Sequence, residues 1–89
     1  MTEYNGYKNY NTWNIVLWLH NDENAYGIVS RRAEIRRNHG TKWGPATARR
    51  TATVILEQCF GKAETPDGTK VCKRDISWSE VAEALNENI

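Results

Sequence analysis

Close metal-ligand pairs, glycine-rich phosphate loops and long apolar runs are all missing from this chain. His20, His39, Cys59 and Cys72 are suitable residue types for zinc, but successive members lie 19, 20 and 13 positions apart. Structural zinc sites normally include a pair separated by roughly two to four residues, so no metal site is expected. No P-loop, H-E-x-x-H pair or nucleophile elbow occurs, and the acids toward the C-terminus are spaced like a solvated helix face. The chain is therefore expected to be no enzyme and to need no cofactor. The longest apolar run, Ile15 to Leu19, is five residues, whereas a membrane-spanning helix needs about 20. The polar start MTEYNGYKNYN lacks the apolar centre of a signal peptide. These absences predict a cytoplasmic location without a membrane partner. Cys59 and Cys72 should then stay reduced. Under oxidising conditions a bridge between them would add about 3 kcal/mol.

Large aromatic rings are present in number: four tryptophans and four tyrosines among 89 residues. Each can bury roughly 150 to 250 Å², which helps a chain whose small size limits its core. The densest segment is NYNTWNIVLWLHND, residues 9–22. Asn11 or Thr12 is placed to cap a helix ending near Asn21. At 100° per residue, Trp13, Ile15, Val16, Leu17, Trp18 and Leu19 spread over nearly every side, leaving Asn14 and Asn21 as a narrow polar stripe. A helix apolar almost all round is expected to be central, with neighbours on several sides.

Around it the sequence predicts a compact all-α domain, residues 1–89, of about four short helices. Residues 1–11 read as an irregular, tyrosine-rich arm folding back onto the domain. The second helix starts at Asn21 or Asp22 and stops near His39-Gly40. It has one apolar face of Ala25, Tyr26, Val29 and Ala33 and another of Ile28 and Ile35, with Arg32 and Arg36 between them. The third opens at Gly44-Pro45, packs through Ala48, Ala52, Ile55, Leu56 and Cys59, and ends at Gly61. Residues 61–76 form a turn-rich connector around Thr65-Pro66-Asp67-Gly68, where a short hairpin is an option. The fourth helix has the capping-box pattern Ser77-Trp78-Ser79-Glu80, with Ile76 and Val81 at the staple positions. Its apolar stripe is Trp78, Val81, Ala82, Leu85 and Ile89.

Charge is unevenly distributed. Between residues 31 and 50, Arg31, Arg32, Arg36, Arg37, Lys42, Arg49 and Arg50 face only Glu34, giving +6, while the rest of the chain carries −5. With Trp43 exposed in the turn between two helices, this window is a candidate nucleic-acid site: cations neutralise phosphates and the ring stacks on a base. The overall charge of only +1 weighs against that reading. The bland alternative is that the arginines are solvated, lie with their stems over tryptophan rings, or pair with the acids of the fourth helix. A second candidate surface is apolar: any part of Trp18, Ile15 or Leu19 left uncovered would mark a protein contact or a dimer seam. The alternative is that the tyrosine arm covers it.

Asn9 to Asp22 matches a pattern N-Y-x-T-W-N-x-x-L-W-x-x-N-D, and Trp78 to Asn86 matches W-x-E-[IV]-A-x-x-[LI]-N. Together they span about a quarter of the chain. In both, the chain resembles small proteins of unknown function encoded widely by bacteriophages and some bacteria. The resemblance implies no activity. It implies a phage accessory product, in the host cytoplasm, of a kind that binds or redirects a host macromolecule. The leading expectation is thus a non-enzymatic binding protein acting on a host protein. A nucleic-acid-binding module using the 31–50 window is the alternative, and a structural homodimer rather than a monomer is a third.

Overall fold

The computed structural model describes residues 4–87. The fold is all-α, with α1 (Tyr10–Asn21), α2 (Glu23–Asn38), α3 (Pro45–Phe60) and α4 (Trp78–Glu87), every pair of which is in contact. Among the described residues no helix is long and apolar enough to cross a membrane.

Local chemistry sets each boundary. The cap of α1 is Asn9, not Asn11 or Thr12: its Oδ1 accepts the Thr12 amide at 2.9 Å and the Thr12 hydroxyl at 2.7 Å. The helix therefore begins at Tyr10, inside the segment expected to be irregular. Asp22 caps α2 by accepting the Ala25 amide at 3.0 Å. It satisfies one of the orphan donors of the first turn, worth about 1 kcal/mol. Pro45 opens α3, whose cap Gly44 offers no side-chain acceptor, and Gly61 closes it in the left-handed region with φ of 85°. Only half of the capping box of α4 forms. Ser77 Oγ accepts the Glu80 amide at 3.4 Å, but Glu80 Oε1 accepts the Lys8 amide at 2.7 Å, and the Ser77 amide donates to the Thr12 hydroxyl.

The core is built from Ile15 and Leu19 of α1, Val29 of α2, Ile55 and Leu56 of α3, and Val81 and Leu85 of α4, with Ile76 closing one end. Alanines 25, 33, 48 and 52 are buried among them, and their small side chains let neighbouring helices approach closely. Two expected apolar positions on α2 face outward: Tyr26 is exposed, and Ile35 is 55% exposed. Ile89 of the expected α4 stripe lies outside the described residues, as do the first three residues of the arm.

α1 meets all three other helices, but Leu17, Trp13 and Trp18 on its flanks are only half-buried. Trp13 is flanked by the arm. Tyr4 and Tyr7 exchange backbone hydrogen bonds of 2.8 and 2.9 Å around Asn5-Gly6, both at positive φ. That is the geometry of a two-residue hairpin turn, for which Asn-Gly is strongly preferred. The turn brings the Tyr4 ring to 4.8 Å from Trp13, with Tyr10 at 5.6 Å on the same indole. The connector is narrower than a regular hairpin, with a single antiparallel bridge, Glu64 to Lys70, enclosing the Thr65–Gly68 turn.

Candidate binding surface

The basic window occupies the second half of α2, the turn after it and the start of α3. Arg31, Arg32, Arg37, Lys42, Arg49 and Arg50 are exposed. Arg36 is half-buried, with its guanidinium carbon 4.6 Å from the centre of the Trp43 ring and Nη1 donating to the Lys42 carbonyl at 3.5 Å. A cation over an indole face is attracted by the ring quadrupole, so Arg36 is held in place by the ring. Among the described residues, no ion pair or guanidinium hydrogen bond is made by Arg31, Arg32, Arg49 or Arg50, and the ion pair present is Lys62 with Glu64 at 3.9 Å.

Trp43 is not the exposed stacking ring expected from its place in a turn. It is 6% exposed, and Asn86 of α4 clamps it: the Trp43 amide donates to Asn86 Oδ1 at 2.9 Å, and Asn86 Nδ2 donates to the Trp43 carbonyl at 3.1 Å. Gly40, at φ of 71°, turns the chain after α2. The four residues between it and Pro45 fold the ring inward beneath Arg36. A buried ring gives a base nothing to stack on. The window is therefore a cationic surface without an aromatic platform.

Trp18 is likewise not an open apolar patch. Its indole N–H donates to Asp67 Oδ2 at 2.9 Å, and its ring meets Phe60 edge-on at 5.7 Å. The connector, not the tyrosine arm, covers this side. The same Asp67 oxygen accepts Asn14 Nδ2 at 2.8 Å, and Asn14 Oδ1 accepts the Thr65 hydroxyl. Asn14, expected on a polar stripe, is fully buried. Both hydrogen bonds hold the Asp67 carboxyl below the usual carboxylate range, the one from Asn14 being the larger cause. Further along, Asn9 Nδ2 donates to the Asp75 carbonyl at 2.6 Å, and Asn11 Nδ2 reaches both Asp75 carboxylate oxygens at 3.1 Å. Asn9, Asn11, Thr12 and Asn14 thus each reach the helix cap or the connector. The visible clue was spacing: Asn14 and Trp18, four apart, share a helix face, and Asp67 sits at a turn tip able to meet both.

Acidic groups gather elsewhere. Glu80, Glu83 and Glu87 of α4 line a shallow cavity with Asn5, Gly6 and Tyr7. The Tyr7 hydroxyl is pushed upward in pKa by burial first, then by Glu87 and Glu80. Cys59 is half-buried, its thiol raised by burial and by Asp22, and Cys72 is exposed; both are free thiols. Among the described residues no three of His, Cys, Asp and Glu are grouped as a metal site would require.

A four-helix domain with one arginine-rich face and a polar lock between its first helix and its connector defines a small all-α protein with a charge-segregated surface. The chain belongs to the DUF7249 family of unknown function, whose model matches residues 1–89. Neither a curated protein nor a solved structure matches it.

Proposed function

We propose that this is a non-enzymatic binding protein, a phage accessory product that acts on a host protein, and that it docks through the outer face of α2 and the first turns of α3. One observation carries the reading. Four arginines, Arg31, Arg32, Arg49 and Arg50, stand exposed without ion-pair partners among the described residues, and Ile35 lies bare on the same helix as the first two. Arginine interleaved with exposed apolar surface is typical of protein interfaces, where a desolvated guanidinium pairs with a partner's carboxylate. A protein rather than a nucleic acid is favoured because the tryptophan of the window is buried and unavailable for base stacking. The phage origin rests on the resemblance of the Asn9–Asp22 and Trp78–Asn86 segments.

The test uses a variant with Arg31, Arg32, Arg49 and Arg50 replaced by glutamate. Arg36 is left intact because it packs on Trp43. Affinity capture from host lysate should enrich one acidic protein with the natural chain and lose it with the variant, and the purified pair should bind directly. Equal capture by both chains refutes docking through this face. Salt-sensitive binding of a labelled DNA duplex, with no protein captured, favours a nucleic-acid-binding module instead.

A further inference from the structure

Between the second half of α2 and α3 runs a cleft of about 400 Å³ lined by Arg32, Ile35, Arg36, His39, Trp43 and Thr51, with Thr41 at its edge. Among the described residues no acid lines it, in contrast to the larger cavity that also borders Trp43, whose wall includes Glu87. Arg32 and Arg36 are one helical turn apart, so their side chains emerge on one face.

Thr51 supplies a third group, from across the cleft. It is 6% exposed, and among the described residues its hydroxyl bonds no protein group while no buried side-chain polar atom is left unpaired, so the hydroxyl is the part that meets solvent. An accessible hydroxyl without a protein partner is free to bond a ligand in the cleft. The other groups are already organised. Arg36 is stacked on Trp43, and its carbonyl is taken by the Thr41 amide at 2.9 Å and the Thr41 hydroxyl at 3.2 Å. The end of α2 therefore presents no spare carbonyl from Arg36 to repel an anion.

The geometry points to a binding site for a small phosphate-bearing molecule with an apolar body. The phosphate sits among Arg32, Arg36 and the Thr51 hydroxyl, and the body lies against Ile35. A phosphate has three terminal oxygens pointing in different directions, which reach two guanidinium groups on α2 and a hydroxyl across the cleft on α3 together. The two oxygens of a carboxylate lie in one plane and serve this arrangement less well. A cleft of this size falls within the usual range for small-molecule pockets, and the exposed Ile35 provides the apolar wall. The site shares Arg32 and Ile35 with the docking face proposed above, while Thr51 and Arg36 belong to it alone, and Thr51 can be changed without altering surface charge.

The full-length protein is titrated with phenyl phosphate, inorganic phosphate and benzyl alcohol, following the Trp43 indole N–H and Arg36 Nε–H resonances by NMR. Phenyl phosphate should saturate both with a Kd of about 1 mM or tighter. Inorganic phosphate should bind about tenfold more weakly and benzyl alcohol not at all. Thr51→Val should weaken phenyl phosphate about tenfold while leaving the urea unfolding midpoint unchanged or raised. Ile35→Ala should weaken phenyl phosphate but not inorganic phosphate. Absence of saturable shifts overturns the site, as does equal binding of benzyl alcohol or undiminished binding by Thr51→Val. A short DNA duplex saturating the same resonances at lower concentration than phenyl phosphate also overturns it, assigning the cleft to a polymer backbone.

Discussion

Trp18 and Asp67, 49 residues apart in the chain, are joined by one hydrogen bond from the indole N–H to Oδ2 at 2.9 Å. The oxygen that accepts it also accepts Asn14 Nδ2. One carboxylate at a turn tip thereby holds two side chains of α1, and the connector is fastened to the helix it covers.

The pH dependence follows from that carboxylate. Its folded-state pKa is lowered below 3.8 by the two hydrogen bonds. The stabilisation it supplies is therefore fully present above the ordinary carboxylate value and is lost as pH falls through the lower, folded value. Acid titration followed by tryptophan fluorescence should show an unfolding limb below about pH 4, and Asp67→Asn should flatten that limb. An unchanged acid limb in Asp67→Asn would show that the lock contributes nothing to acid stability.

Asn14 should be among the costliest polar positions to replace. Asn14→Ala removes the acceptor of the buried Thr65 hydroxyl and a donor to Asp67. A loss of about 2 to 3 kcal/mol in urea unfolding is expected. Asn24→Ala, on an exposed turn of α2, should stay within about 0.5 kcal/mol.

Trp43 should behave as core despite its place in a turn within a charged window. Trp43→Ala should cost about 3 to 5 kcal/mol. Asn86→Ala should cost about 1 to 3 kcal/mol by leaving the buried Trp43 amide without its acceptor. Arg31→Ala should be near neutral in the same assay. If Trp43→Ala unfolds at the same urea concentration as the natural chain, the buried placement is wrong.

The two thiols should separate cleanly in reactivity. Thiolate is the attacking species; Cys59 is half-buried with its pKa raised, while Cys72 is exposed. Labelling with an aromatic disulfide reagent should modify Cys72 about tenfold faster, as read by peptide mass spectrometry. Comparable rates would contradict the burial of Cys59.

Much of the helix arrangement could be read from the chain because it rests on local chemistry. Asp22, Gly44-Pro45, Gly61 and Ser77 mark boundaries through side-chain oxygens, a fixed φ or a left-handed turn, and each stands where such a residue is needed. The spacing of Ala48, Ala52, Ile55 and Leu56 likewise identified the buried face of α3. What could not be read depends on partners distant in sequence. Asn14 looks like a solvent-facing stripe until Thr65 and Asp67 are brought to it. Trp43 looks like a turn residue until Asn86 binds both its backbone groups. Ile35 repeats with Ile28 at helical spacing, yet among the described residues no element covers it on the outer side of α2, and periodicity alone does not reveal that. Asn5-Gly6 carried a readable hairpin signal that the short flanking tyrosines obscured. Among the candidate surface residues, the structure brings Arg36 and Trp43 together, buries Trp43 and fastens Trp18 to the connector. Arg31, Arg32, Arg37, Lys42, Arg49 and Arg50 stay at the surface.

Asn9, Asn11, Thr12, Asn14 and Trp18 each bond a group between residues 65 and 77. The opening helix thus completes its polar pairing only when chain made much later arrives. Closing loops of that length is entropically slow compared with forming helices. During synthesis the tryptophan-rich first helix must wait, incompletely matched, until residues 65–77 have emerged. A shortened product ending before Asp67 would have no route to the native arrangement.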